Sequence, residues 1–206
     1  MLDIIDDIKE LILKKKIIIV SIFIIIIFGL LFGSIYITIL SNEDKKDLLT
    51  NVNNYFNSFT KIDFSSKINI FKDSLIKNLV YFLFLWASGI SIIGVPLIYI
   101  MIYYKSFLLG FSIASIFAKY KINGLIKILI YIFPSRILIL VLSIIIGVYG
   151  ISLSIKLVNT FIKKDRFNFN TFTGKYTLLF LVSILLSVLV SLFDAFIMPI
   201  LFNFKI

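Results

Sequence analysis

The stretch IIIVSIFIIIIFGLLFGSIYITIL, residues 17–40, decides the fold class. It contains no charged residue, and at 1.5 Å per residue it would form a helix about 36 Å long. A bilayer core is about 30 Å thick, and a helix this long that is apolar on every side is typical of a membrane span. It is too long for the apolar part of a signal peptide, so we predict an uncleaved transmembrane anchor.

Similar apolar segments recur along the rest of the chain and predict further spans. We place them at 79–104, 106–118, 137–158 and 176–201. The segment 106–118 would be only about 20 Å long, so it either uses flanking residues to span or re-enters the membrane. We predict that Pro96 kinks its helix and that an interfacial or re-entrant segment lies near 119–134, with a break at Pro134. The predicted fold class is all-α: residues 1–206 form a single polytopic membrane domain of about five helices.

Composition agrees with a membrane protein and excludes most kinds of catalytic site. Hydrophobic residues make up 60% of the chain, and the mean hydropathy is +1.08. There is no cysteine and no histidine, which excludes disulfides, zinc sites built on Cys or His, and His-based acid–base chemistry. An intramembrane aspartyl hydrolase would need two membrane aspartates, and only Asp194 lies well within a span. We therefore predict a protein that is not an enzyme, with no catalytic residue, metal or cofactor.

The net charge of +10 is interpreted as span-flanking charge rather than a nucleic-acid surface. A cytoplasmic N-terminus, starting with an amphipathic helix over 1–16, puts Lys105 and the basic loop 159–175 on the cytoplasmic side. Residues 41–78 then form an external loop whose six lysines count against this orientation, although its acidic residues nearly balance them.

Small residues recur every four positions in several of the predicted spans. Such rows let helix backbones approach closely where there is little hydrophobic drive between helices. The candidate helix-packing residues are Gly29, Gly33, Gly110, Ala114, Gly147, Ser183, Ser187 and Ser191. They predict one compact bundle.

Two further sets of residues are candidates for a site. A charge inside a membrane is costly, so Asp194 needs a partner or a solvated position, and Arg136 is the candidate partner. A structural pair or a solvated helix end is favoured over ion transport. The 41–78 segment has an apolar face that either lies on the membrane or the bundle, or docks a partner protein. Its candidate anchors are Tyr55, Phe56, Phe59, Phe64 and Phe71.

The central run adds a family resemblance. The stretches SGISIIGVPL at 88–97, YKSFLLGF at 104–111 and IFPSR at 132–136 resemble the signature of the stage II sporulation protein M family. The chain length, the short N-terminal segment and the layout of about five spans also fit that family.

This resemblance implies a membrane scaffold of the engulfment machinery in spore-forming bacteria. Its expected place is the bacterial cell membrane, specifically the mother-cell or septal membrane. Its expected partners are membrane lipid and peptidoglycan hydrolases similar to the stage II sporulation proteins P and D, which would supply the catalysis. The alternative is a permease subunit or small transporter, which would carry several polar residues along an internal path.

The cysteine-free chain allows the predicted orientation to be tested directly. A cysteine introduced at Asn168 should stay unlabelled by a membrane-impermeant thiol reagent in intact cells, because the basic loop is predicted to be cytoplasmic. A cysteine at Asn54, in the predicted external segment, should be labelled. Labelling at Asn168 in intact cells would overturn the topology.

Overall fold

The computed structural model describes residues 15–58, 63–132, 135–163 and 169–203. Within these ranges every regular element is helical, which confirms the all-α prediction. The predicted amphipathic helix at 1–16 and the position of Asn168 lie largely outside the described residues. The elements are α1 (Lys16–Ile39), α2 (Asn42–Ser58), α3 (Phe64–Ile90), α4 (Gly94–Tyr120), a 3₁₀ turn (Lys121–Gly124), α5 (Leu125–Ile132), α6 (Ser135–Lys163), α7 (Phe169–Leu192), a π-helical turn (Phe193–Ile197) and α8 (Met198–Asn203).

Helices α1 and α4 run side by side in the same direction. Near their starts, the Ser21 and Tyr99 hydroxyls lie 2.6 Å apart and share a hydrogen bond. Near the other end, Ser34 Oγ donates to the carbonyl oxygen of Gly110 across 3.2 Å. The two partners are 78 residues apart in the first contact and 76 residues apart in the second. Because this separation stays nearly constant, the two helices are parallel.

Glycines make this pairing possible. A Cβ on Gly29 would lie 2.8 Å from Ser106 Cβ, and one on Gly33 would overlap the carbonyl oxygen of Phe107. A Cβ on Gly110 would overlap a backbone carbonyl of α1. These contacts are with backbone or with the base of a side chain, which cannot rotate away. The helices therefore meet by close backbone approach, as small-residue rows in membrane helices allow.

The break between α3 and α4 corrects two predictions. The expected span 79–104 is divided by a turn at residues 91–93, and the expected break before residue 106 lies inside the continuous helix α4. Helices α3 and α4 form an antiparallel hairpin instead. The apolar run continues through this turn, so hydropathy alone could not locate it.

The turn residues explain the hairpin locally. The Gly94 N–H donates to Ser91 O across 3.1 Å, and Ser154 Oγ of α6 donates to the same oxygen across 2.9 Å. A Cβ on Gly94 would overlap the carbonyl oxygen of Ser88. Pro96 lies in the first turn of α4, where a missing backbone N–H costs no helix hydrogen bond, so it starts a helix rather than kinking one.

Helix α3 lies between α6 and α7. Its Tyr81 hydroxyl donates to Ser143 Oγ of α6 across 3.0 Å. The buried Tyr176 hydroxyl of α7 donates to the carbonyl oxygens of Leu85 and Trp86, 3.2 and 3.0 Å away. These hydroxyls satisfy buried polar groups and hold three helices together.

The predicted packing residues lie mostly at helix contacts. Ser183, Ser187 and Ser191 are fully buried and each donates to a carbonyl of its own helix. A Cβ on Gly147 would lie 2.8 Å from Ile102 Cδ1, at a contact of α6 with α4. Ala114 is half-buried.

The outer surface of the bundle is apolar, as lipid contact requires. Large side chains such as Phe23, Phe28 and Phe32 on α1 are about half exposed, at 50%, 52% and 52%. Four stretches in the described residues are long and apolar enough to cross a membrane: Lys16–Ile39, Gly94–Ile132, Ser135–Thr160 and Gly174–Phe202. Helix α3 differs because its first half carries Lys67, Lys72, Asp73 and Lys77.

The tight α1–α4 contact yields a stability prediction. Gly110→Leu should destabilise the protein by about 3 kcal/mol or more, because the added side chain would overlap backbone of α1 that cannot relax. Leu108→Ala on the same helix is the control, since Leu108 is 40% exposed. Folded yield and thermal unfolding in detergent would measure both. Equal losses for the two variants would contradict the assigned interface.

Candidate functional site

The bundle has two distinct ends. The hairpin end contains the 91–93 turn, the start of α1 and the end of α6. The α2 end contains the end of α1, the start of α3 and the end of α4. At the α2 end, α2, the 3₁₀ turn, α5 and α8 pack together, and we refer to these four elements as the platform.

Aromatic contacts hold the platform together. The Phe56 ring of α2 lies 5.7 Å from that of Tyr120 and 5.0 Å from that of Phe202, centroid to centroid. Lys127 Nζ of α5 lies 3.6 Å from the Tyr120 ring centroid, a cation–π contact. Ile128 of α5 is buried in the same cluster. Residues 121–132 of the predicted interfacial segment therefore fold back onto the bundle through their side chains.

These contacts correct the predicted docking surface. Phe56 is only 5% exposed, so it cannot be a surface anchor, and the prediction for this residue is wrong. Its face of α2 packs on the bundle, which was one of the two alternatives for this segment. Tyr55 and Phe64 are exposed, at 42% and 69%, whereas Phe71 is half-buried. Phe59 lies outside the described residues.

A buried polar cluster lies beneath the platform, centred on Asp194. This carboxylate is 4% exposed and accepts hydrogen bonds from Ser135 Oγ at 2.6 Å and Ser74 Oγ at 2.9 Å. Arg136 Nη1 lies 3.6 Å from Asp194 Oδ2. The structure thus brings together the two residues proposed as an intramembrane polar pair. It adds Ser74 from α3, whose role the sequence does not reveal because serines are common in membrane helices.

The helix backbone at Asp194 is irregular. Residues Phe193–Ile197 form a π-helical turn between α7 and α8. Such turns are rare and occur frequently at functional sites. Here the turn carries the one acidic side chain of the α7–α8 region onto the serine hydroxyls of α3 and α6.

Lys105 lies next to this cluster, which corrects its predicted place at a cytoplasmic boundary. It is half-buried within α4, with Nζ 3.5 Å from Asn78 Oδ1 and 4.7 Å from the Tyr81 ring centroid. Sequence analysis interpreted this lysine as the end of a span because it interrupts an apolar run. A cation at mid-helix is costly in a membrane unless other groups solvate it.

Two cavities meet at the cluster. The smaller, of about 240 Å³, is lined by cationic side chains of Lys77, Lys105 and Arg136, with Asp73 and Asp194. The larger, of about 400 Å³, lies between α2 and α4 and has more apolar than polar lining surface. Tyr55, Lys77 and Arg136 line both cavities.

The donor groups at this site suit an anion rather than a metal ion. In the part of the chain that the structure describes, no group of three or more His, Cys, Asp or Glu residues could hold a metal. The lysine and arginine side chains carry only hydrogen-bond donors, and the Asp194 carboxylate is already engaged by two serines and Arg136.

The polar cluster generates a prediction about stability. Asp194→Leu should destabilise the protein by about 3 kcal/mol, because it leaves Arg136 without its carboxylate. A double variant, Asp194→Leu with Arg136→Met, should be more stable than Asp194→Leu alone. Thermal unfolding of the single and double variants in detergent checks this. Strictly additive losses would mean that the two side chains do not interact.

Comparison with known proteins gives a family. A family model described as Stage II sporulation protein M matches residues 21–199, from α1 into α8 and through every element named above. Neither the curated proteins nor the solved structures contain a match. The matched region covers most of the chain, so this protein belongs to the stage II sporulation protein M family.

Proposed function

We propose that this protein is a non-enzymatic membrane scaffold of the sporulation engulfment machinery. In this role it recruits peptidoglycan hydrolases, similar to the stage II sporulation proteins P and D, and localises them at the septal or mother-cell membrane. Family membership supports a sporulation-related membrane protein. The observation that carries the scaffold role is the folded platform at one end of four apolar helices.

The α2 end of the bundle offers a surface of the kind that binds a protein partner. Exposed apolar side chains lie on three of the segments at this end: Phe64 (69%), Ile122 (75%) and Leu129 (66%). Lys121 and Asn123 are exposed beside Ile122, so the apolar positions have polar neighbours. A central apolar anchor with a polar rim is the usual arrangement of an interface. In the predicted topology the α2 end faces outward, toward the cell wall.

The buried cluster around Asp194 and its π-helical turn favour a second candidate, a small transporter or permease subunit. A transport path would have to continue toward the hairpin end. Between the cluster and that end the core is filled by side chains that are at most 1% exposed: Phe82, Leu85, Ile98, Ile102, Ile146 and Ile151. This packing favours the scaffold over a transporter.

Deletion of the gene tests the scaffold proposal. Loss of the protein should mislocalise a fluorescently tagged wall hydrolase in sporulating cells and stop engulfment, while the purified protein alone should hydrolyse no peptidoglycan. Correct hydrolase placement and complete engulfment in the deletion strain would refute the proposal. Wall hydrolysis by the purified protein would refute its non-enzymatic character.

A substitution at the α2 end of the bundle tests where the partner binds. Phe64→Ser should reduce co-purification of the hydrolase at least about tenfold, since exposed aromatic anchors often contribute 2 kcal/mol or more. Phe84→Ser is a matched control on the same helix, where Phe84 is 59% exposed among apolar neighbours. Membrane insertion of both variants is measured by fractionation. Normal capture by Phe64→Ser would show that the docking site lies elsewhere at the α2 end.

A further inference from the structure

We propose that the two adjacent cavities bind one anionic phospholipid, with its phosphate among Lys77, Lys105 and Arg136 and an acyl chain between α2 and α4. This inference is independent of the scaffold role. It rests on the charge of the smaller cavity, on the missing acceptors of Lys105 within it, and on the three lining residues that this cavity shares with a larger one.

The net charge of the smaller cavity depends on which of its charged side chains are already paired with other protein groups. Three cationic side chains and two carboxylates line it. Asp194 is engaged by Arg136 and by the hydroxyls of Ser74 and Ser135. Asp73 is exposed on α3, and in the described part of the chain no carboxylate lies within 4.0 Å of Lys105 Nζ. Lys77 and Lys105 therefore leave the cavity cationic.

The Lys105 ammonium in this cavity lacks sufficient acceptors. The Lys105 ammonium has three N–H groups, and its hydrogen-bond acceptor is a single oxygen, Asn78 Oδ1, at 3.5 Å. Asn78 is 2% exposed, and its amide nitrogen is buried with no acceptor. Lys105 fixes the orientation of the Asn78 amide, because the ammonium donates and so must face the amide oxygen. A bound oxyanion would supply the acceptors that the Lys105 ammonium lacks, and burying such a donor without acceptors is costly.

The larger cavity identifies the rest of the ligand. It adjoins the cationic cavity at Tyr55, Lys77 and Arg136, and apolar side chains such as Val52, Phe111 and Ile116 continue it between α2 and α4. An anionic group that continues into an apolar chain is the chemistry of a phospholipid. A free phosphate would leave the larger cavity empty, and an acidic peptide would place polar backbone against its apolar wall.

Lipid titration of the purified full chain tests the proposal. Native mass spectrometry in maltoside micelles would count bound dioleoylphosphatidylglycerol and dioleoylphosphatidylcholine, with thermal unfolding as a second readout. We expect one phosphatidylglycerol per chain, bound at least about tenfold more tightly than phosphatidylcholine. Equal binding of the two lipids would overturn the proposal, because the cationic cavity would then not contribute.

Matched lysine variants locate the site. Lys105→Gln and Lys77→Gln should each weaken phosphatidylglycerol binding about tenfold. Lys72→Gln should leave it unchanged, because Lys72 lies on the same helix as Lys77 but lines neither cavity. Lys77 is exposed, so its variant should fold even if Lys105→Gln does not. Unchanged binding by Lys77→Gln would refute the site.

Inorganic phosphate distinguishes a lipid from a simple anion. Phosphate at millimolar concentration should give less thermal protection than phosphatidylglycerol, because it cannot fill the apolar cavity. Equal protection by phosphate alone would refute the lipid assignment.

Discussion

Close backbone approach between α1 and α4 is the constraint on which the rest of this structure depends. In a bilayer the surroundings of a helix are as apolar as its side chains, so burying Ile or Phe between helices provides little drive for association. Association therefore depends on van der Waals packing, which requires small residues where the two backbones meet. Gly29, Gly33 and Gly110 provide this over one parallel pair. That pairing sets the position of α4, which in turn carries Lys105 and leads into the platform.

Hydroxyl groups and one charged pair supply the remaining specificity. Tyr81 and Tyr176 hold α3 to α6 and α7 by hydrogen bonds in the apolar half of the bundle. At the α2 end the same task falls to Asp194, with serines from α3 and α6 and the guanidinium of Arg136. A buried pair of this kind contributes little net stability against apolar packing, but it penalises every arrangement that separates the partners.

The location of both cavities and the buried ion pair at one end connects the fold to the proposed function. The hairpin half of the core is closed by apolar side chains, whereas the α2 half contains cations, cavities and a platform held by Phe56 and Tyr120. An asymmetric membrane bundle of this kind can anchor itself with one half and present a folded surface with the other. A lipid bound beneath the platform would also support α2, which contributes to both cavities' lining.

Hydropathy and residue size alone determined the fold class, the small-residue rows and the acid within a span, because these depend on composition within one helix. They did not locate the 91–93 turn, since the apolar run passes through it without interruption. They also placed Lys105 and Phe56 wrongly. A lysine inside an apolar run marks a span boundary unless a neighbouring helix solvates it, and here Asn78 and Tyr81 of α3 do so. An aromatic residue on a polar helix is a surface anchor unless another segment covers it. Only the tertiary structure decided these cases, because the covering groups come from elements distant in the chain.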